Sequence, residues 1–146
     1  MNPKEFLGKE NEKLIVEAIA RAEANTSGEI RVHIESKCKG EVLDRAAWLF
    51  KKLGMQATAA RNGVLIYLSV NDKKFAIIGD SGINKVVPVG FWDEIKAIMV
   101  YHFKLGEFAI GLVKGIEMSG QQLKQYFPHQ ADDVNELSDE ISYGNQ

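Results

Sequence analysis

The sequence is poor in the residues that mark several common classes of protein. Its 146 residues include one cysteine, which excludes an internal disulfide and a zinc site of the usual cysteine-rich kind. Cys38 follows a predicted strand and lies between two lysines, and we interpret it as a surface thiol. The three histidines, His33, His102 and His129, are scattered, so we expect no metal or acid–base cluster from them. His33 is expected on the solvent-facing side of its strand.

Long apolar runs and a strong charge of either sign are also missing. No window is apolar for long enough to span a bilayer, and the N-terminal stretch "MNPKEFLGKENEKL" lacks the apolar core of a signal peptide. The formal net charge is -2, and the lysines are interleaved with acids rather than gathered on a basic face. We therefore expect a cytoplasmic monomer with no transmembrane segment and no nucleic-acid partner.

The apolar pattern that is present predicts an α/β domain over residues 1–128. Helical periodicity indicates four helices, at residues 3–25, 43–53, 91–105 and 107–127. Alternating or continuous apolar runs indicate three strands, at residues 29–36, 62–70 and 74–79. This order predicts a short mixed sheet covered by helices. Residues 129–146 are acidic and weakly patterned, and we interpret them as a tail with a short helical turn.

The stretch "IIGDSGIN", residues 77–84, raises the question of why a buried strand ends directly in a carboxylate and a hydroxyl. Strands 29–36 and 62–70 are joined by a helix, so they should run parallel with a right-handed crossover. Strand 74–79 then returns as an antiparallel hairpin. The loops at residues 27–29, 61–63 and 79–82 should therefore meet at one edge of the sheet.

This convergence gathers a set of polar side chains, which are Ser27, Glu29, Arg61, Asn62, Asp80 and Ser81. Two carboxylates with amide and hydroxyl oxygens suit a hard cation such as calcium or magnesium. The candidate metal ligands are Asp80, Glu29, Asn62 and Ser81, and Arg61 is a candidate for an ion pair or for phosphate binding. The residues alone leave a second interpretation open, in which these are turn and capping residues beside a surface ion pair between Glu29 and Arg61.

Three stretches resemble the TPM domain family, in a soluble bacterial form, over residues 3–128. They are "SGEIRVHIE", "RNGVLIYLSVNDKKFAIIGDSGIN" and "FWDEIKAIMVYHFKLGEFAIGLVKGIEMSGQQLKQYFP", in that order. The family includes a thylakoid-lumen acid phosphatase-like protein. The resemblance implies an α/β/α sandwich and a divalent-ion site, often calcium, at the loop edge. Where many members read Gly-Tyr-Gly-Leu-Glu, this chain reads Gly-Asp-Ser-Gly-Ile, which moves the carboxylate within the turn.

Three functions follow from these observations. The first is a non-enzymatic domain that binds a divalent cation, with calcium expected and magnesium as the alternative, and acts as an adaptor for a protein partner. The second is a metal-assisted acid phosphatase in which Asp80 or Glu29 holds the ion and Arg61 neutralises the phosphate. No catalytic nucleophile is identifiable for it. The third is a metal-free interaction module that uses the aromatic-rich helix at residues 91–105.

Overall fold

The computed structural model describes residues 2–129 and 140–144. The helices are α1 (Pro3–Leu7), α2 (Lys9–Glu23), α3 (Val42–Lys52), α4 (Ser81–Asn84), α5 (Asp93–Lys104) and α6 (Phe108–Tyr126), with a 3-10 turn at Met55–Ala57. The strands are β1 (Glu29–Glu35), β2 (Gly63–Ser69), β3 (Lys74–Gly79) and β4 (Ser142–Tyr143). No helix among the described residues has the length and apolar content needed to cross a bilayer.

The four strands form one mixed sheet in the order β3-β2-β1-β4. β1 and β2 are parallel, in a register that runs from Glu29 opposite Gly63 to Glu35 opposite Ser69. β2 and β3 are antiparallel, with Val64 opposite Gly79. The predicted β-α-β unit and the hairpin after it are therefore confirmed.

Each face of the sheet has its own apolar core, because successive side chains of a strand point to opposite faces. Ile30, Val32 and Ile34 are fully buried in the core that α2, α5 and α6 complete. On the other face, Leu65 and Tyr67 pack with α3 and the 3-10 turn. β2 is buried along its whole length, as expected for a central strand. The fold is thus the expected α/β/α sandwich with helices on both faces.

The prediction of one continuous helix over residues 3–25 is wrong, because the structure has two helices there. They are divided at Gly8, which ends α1 and precedes α2 with a φ of 80°. Residues with a side chain rarely adopt this left-handed conformation, and glycine adopts it readily. The break lets the short α1 bury Leu7 in the core, where it is 3% exposed.

The sheet also contains a fourth strand, which no pattern in the sequence predicts. Within the acidic segment interpreted as a tail, β4 pairs in parallel with β1, with Ser142 opposite His33 and Tyr143 opposite Ile34. The Tyr143 hydroxyl donates to Glu12 Oε2 at 2.5 Å, which ties β4 to α2. Two residues are too few for a strand period to be visible in sequence. The expected helical turn of the tail lies outside the described residues.

The expected exposure of His33 is wrong, because α3 lies over the polar side of β1 at Glu35 and β4 flanks β1 beside His33. His33 is 4% exposed and Glu35 is 3% exposed. Glu35 accepts two 2.8 Å hydrogen bonds from Arg45 and one of 2.5 Å from the Tyr67 hydroxyl. His33 lies between Glu35, 3.3 Å from Nε2, and the Ser142 hydroxyl, 2.7 Å from Nδ1. These residues form a buried polar network that joins β1, β2, α3 and β4.

The network shifts the protonation of its two central groups. Burial lowers the pKa of His33, since the charged ring loses its hydration. Burial opposes the charged form of Glu35, but the hydrogen bonds from Arg45, Tyr67 and His33 together hold the pKa of this carboxyl below its usual range. The folded protein therefore favours a neutral His33 and an ionised Glu35.

Replacing Glu35 tests how strongly the network stabilises the fold. Glu35→Gln keeps the size of the side chain but leaves the guanidinium of Arg45, whose side chain is 18% exposed, without its counter-charge. We expect the free energy of unfolding in urea to fall by about 3 kcal/mol. The matched control, Glu17→Gln on the exposed face of α2, should change it by less than about 0.5 kcal/mol. Equal stability of the two variants would show that the network is not stabilising.

The same network predicts a loss of stability in mild acid. Because the pKa of His33 is lower in the folded than in the unfolded chain, the unfolded chain binds more protons over the interval between the two values. The free energy of unfolding should therefore decline as the pH falls below about 6.5, the ordinary histidine pKa. Urea unfolding between about pH 7.5 and pH 5 measures this slope, and His33→Gln should flatten it. A flat wild-type profile, or an unchanged slope in His33→Gln, would contradict the prediction.

Candidate functional site

The three loops predicted to converge do lie together at one edge of the sheet. Glu29 opens β1 opposite Gly63, and its backbone N–H donates to the carbonyl of Asn62 at 3.3 Å. On the other side of β2, the backbone N–H of Asp80 donates to the carbonyl of Gly63 at 3.0 Å. The strand register thus places residues 27–29, 61–63 and 79–82 side by side.

Three of the predicted ligands at this edge are buried. Asn62 is 1% exposed, Glu29 is 3% exposed and Asp80 is 6% exposed. Asn62 Nδ2 donates to the Ser27 hydroxyl at 3.3 Å, which brings the first and second loops into contact. These side chains are therefore built into the fold, in contrast to the surface ion pair between Glu29 and Arg61 that the second interpretation supposed.

Asp80 pairs with Arg61. Arg61 donates from Nε to Oδ2 at 2.8 Å and from Nη2 to Oδ1 at 2.9 Å, which is the two-point geometry that suits a guanidinium and a carboxylate. Oδ1 also accepts from the backbone N–H of Ser81 at 2.7 Å, so that Asp80 caps the one-turn helix α4. Ser81 itself is exposed at the start of α4. The carboxylate after the buried strand thus serves both as a helix cap and as an ion-pair partner.

The backbone of the third loop packs tightly against the second. The N–H of Gly82 donates to the carbonyl of Arg61 at 2.9 Å. A Cβ at position 82 would lie 2.2 Å from the carbonyl oxygen of Ala60 and 2.6 Å from that of Arg61. Glycine is therefore required at position 82 for the two loops to touch.

The number of oxygen atoms left free at this edge determines whether it can bind a cation. Asp80 uses three of the roughly four acceptor positions of a carboxylate, so a cation there has to share it with Arg61 or displace Arg61. Among residues 2–129 and 140–144, no three histidine, cysteine, aspartate or glutamate side chains are grouped closely enough to hold a metal ion. A metal site here would have to combine Glu29 and Asp80 with amide, hydroxyl or backbone oxygens.

The ion pair is open to solvent on one side. Arg61, Gly79 and Asp80 line a surface pocket of about 350 Å³, together with Phe50 and Lys51 of α3. Lys51 was not identified from the sequence, since it is one of many lysines spaced along amphipathic helices. Thr58 was also missed, although it is 3% exposed and its hydroxyl accepts from the backbone N–H of Asn62 at 3.2 Å. No motif marks either residue, because each acquires its partner through the folding of the chain.

A four-stranded mixed sheet between helices, with an acidic loop edge, defines the class of domain. The chain belongs to the TPM domain family, whose sequence profile matches residues 1–122. The chain is similar to the BA42 protein of the psychrophilic bacterium Bizionia argentinensis, solved by NMR. The two chains are 52% identical and superpose with a TM-score of 0.91 over 97% of each.

A second solved structure shares the fold at lower identity. It is the N-terminal domain of a protein from P. gingivalis, 21% identical, with a TM-score of 0.68 over 86% of this chain and 82% of that one. No curated protein matches the sequence. The family assignment agrees with the resemblance found in the sequence.

Substitution of Gly82 tests the tight contact between the second and third loops. In Gly82→Ala the added methyl meets the backbone of residues 60 and 61, which cannot move aside as a flexible side chain would. We expect the free energy of unfolding to fall by about 1–3 kcal/mol, measured by urea denaturation. Ser81→Ala, an exposed neighbour, should have an effect below about 0.5 kcal/mol. A Gly82→Ala variant as stable as the wild type would mean that the loops can separate.

Proposed function

We propose that this TPM domain binds a divalent cation, calcium in preference to magnesium, at the edge formed by residues 27–29, 61–63 and 79–82. The observation that carries the proposal is the burial of Glu29, Asn62 and Asp80 at adjacent strand ends, two of them carboxylates. Burying a carboxylate is unfavourable unless a charge or several hydrogen bonds compensate it. Asp80 has that compensation from Arg61 and from the Ser81 N–H, so a bound cation would replace Arg61 as the charged partner of Asp80 and would take Glu29 as a second charged ligand.

The donor types favour calcium. Calcium takes six to eight oxygen ligands in flexible geometry and accepts carbonyls and amides, whereas magnesium requires a near-ideal octahedron. Asn62 directs its Nδ2 to Ser27, which leaves Oδ1, the atom that a cation would take, outside that hydrogen bond. Glu29 and Asp80 would supply the charge, and Ser81, exposed beside Asp80, can contribute its hydroxyl.

Arg61 acts in this proposal as a built-in competitor of the cation. Its guanidinium neutralises Asp80 when no ion is bound, and its side chain is half exposed and can swing away. Ion binding therefore exchanges one positive partner of Asp80 for another, which lowers the net affinity. The function that fits is reversible, concentration-dependent cation binding.

A binding role is favoured over the phosphatase alternative. Ser27, a hydroxyl at this edge, bonds to the amide of Asn62 rather than to a general base. Arg61 is already paired with Asp80, so it is not held ready for a phosphate. The domain would then act as a cation-responsive adaptor without catalysis.

Calorimetric titration of calcium and of magnesium into wild type and variants tests the proposal. Glu29→Gln and Asp80→Asn should each weaken calcium binding by about tenfold or more, since each removes a charged ligand. Arg61→Gln should tighten it, because Asp80 loses its competing partner. Asp93→Asn, in the exposed first turn of α5, is the matched control and should bind as the wild type does.

Two results would contradict the proposal. One is the absence of binding heat at millimolar calcium in the wild type. The other is unchanged affinity in a Glu29→Gln variant whose circular dichroism is native. Hydrolysis of p-nitrophenyl phosphate that requires added metal and disappears in Asp80→Asn would instead support the phosphatase alternative.

A further inference from the structure

A second pocket lies at the opposite end of the sheet, beyond the last residues of β2. It has a volume of about 380 Å³ and is formed by the start of β3 with α5 and the first turn of α6. Leu68, 1% exposed, forms its floor. This volume lies within the range of small-molecule sites, which begins near roughly 300 Å³.

Aromatic rings form the walls of the pocket. Phe75 meets Phe103 edge to face with ring centres 5.2 Å apart, and Phe103 stacks near Phe108 at 5.5 Å. The three rings are only half buried, so apolar surface is left facing the pocket. Because each ring is held by its neighbour, the walls are formed before any ligand arrives. An aromatic or alkyl group would remove this surface from water.

Two lysines from different elements line the solvent side of the pocket. Lys73 belongs to the turn between β2 and β3, and Lys104 ends α5. Both are exposed, and neither forms an ion pair with any residue of the described ranges. Lysine can lay its aliphatic stem along an apolar wall while its ammonium stays in water. The pocket therefore joins an apolar interior to two positive charges.

The backbone of Lys73 adopts an uncommon conformation for a lysine. Its φ is 53°, in the left-handed region that asparagine and glycine usually occupy in such turns. A lysine is less favourable there than either of those residues. The Lys73 side chain places a positively charged ammonium group, on a long aliphatic stem, beside the pocket.

We propose that this pocket binds a small carboxylate with an aromatic body, such as an aryl-alkyl acid. The ring packs among Phe75, Phe103 and Phe108, and the carboxylate faces the ammonium groups of Lys73 and Lys104. This site is separate from the cation edge, so either one can fail without the other.

Phenylbutyrate and its neutral analogue phenylbutanol are the probes that test this proposal. In a titration followed by amide chemical shifts, phenylbutyrate should move signals of residues 68–75 and 100–108 in a saturable way. Phenylbutanol should bind about tenfold more weakly, since it lacks the charge that the lysines attract.

Variants separate the charged from the apolar part of the site. Lys73→Gln combined with Lys104→Gln should reduce phenylbutyrate affinity to that of the alcohol, while Lys114→Gln, an exposed lysine of α6 outside the pocket, should leave it unchanged. Val100→Phe places a ring in the pocket and should abolish binding of both probes, with folding checked by circular dichroism.

Three outcomes would overturn the proposal. They are the absence of saturable shifts, equal affinity for acid and alcohol, and shifts centred on residues away from the pocket. A wild type that sediments as a dimer while Val100→Phe sediments as a monomer would also overturn it, since the occupant would then be a second copy of the chain.

Discussion

The parallel pairing of β1 with β2 determines which side chains of β1 enter each core and which residues meet at the loop edge of the sheet. It runs without interruption from Glu29 opposite Gly63 to Glu35 opposite Ser69. A slip of one residue would turn every side chain of β1 to the other face of the sheet. Ile30, Val32 and Ile34 oppose such a slip, because all three are fully buried in the larger core.

The same pairing gives β1 a buried polar stripe along its other face. Glu29 stands at the start of this stripe, and His33 and Glu35 stand toward its end. At the far end the carboxylate of Glu35 is satisfied within the protein by Arg45 and Tyr67, and the role of this network is structural. At the near end Glu29 is buried at the same sheet edge as Asn62 and Asp80, and of these three residues Asp80 lines a surface pocket. One strand thus carries a structural carboxylate at one end and a candidate ligand at the other.

The parts of the fold that the sequence predicts correctly are those set by local periodicity and short connections. The hairpin of β2 and β3 and the β-α-β unit follow from apolar runs separated by a turn and by a helix. They were enough to bring Glu29, Asn62 and Asp80 to one edge. The errors lie where a distant segment decides the environment. His33 lies on the polar side of an alternating strand and would face water if α3 and Ser142 did not cover it.

The pocket lined by Lys73 and Lys104 and the pairing of Arg61 with Asp80 could not be predicted from the sequence, for a related reason. Arg61 was expected near a carboxylate, but only the packing of Gly82 against residues 60 and 61 determines which one it meets. Lys73 and Lys104 lie far apart in the chain and line the same pocket only after β3 and α5 have packed together. Contacts between residues that only tertiary packing brings together have no characteristic spacing or motif in the sequence.

A calcium titration followed by backbone amide chemical shifts both detects an ion bound at the loop edge and locates it. Saturable shifts are expected at residues 27–29, 61–63 and 79–82, with magnesium producing smaller changes at the same residues. Calcium-dependent shifts confined to other segments, or none at millimolar calcium, would contradict this expectation. Glu29 and Asp80 would then be structural carboxylates at the edge of the sheet.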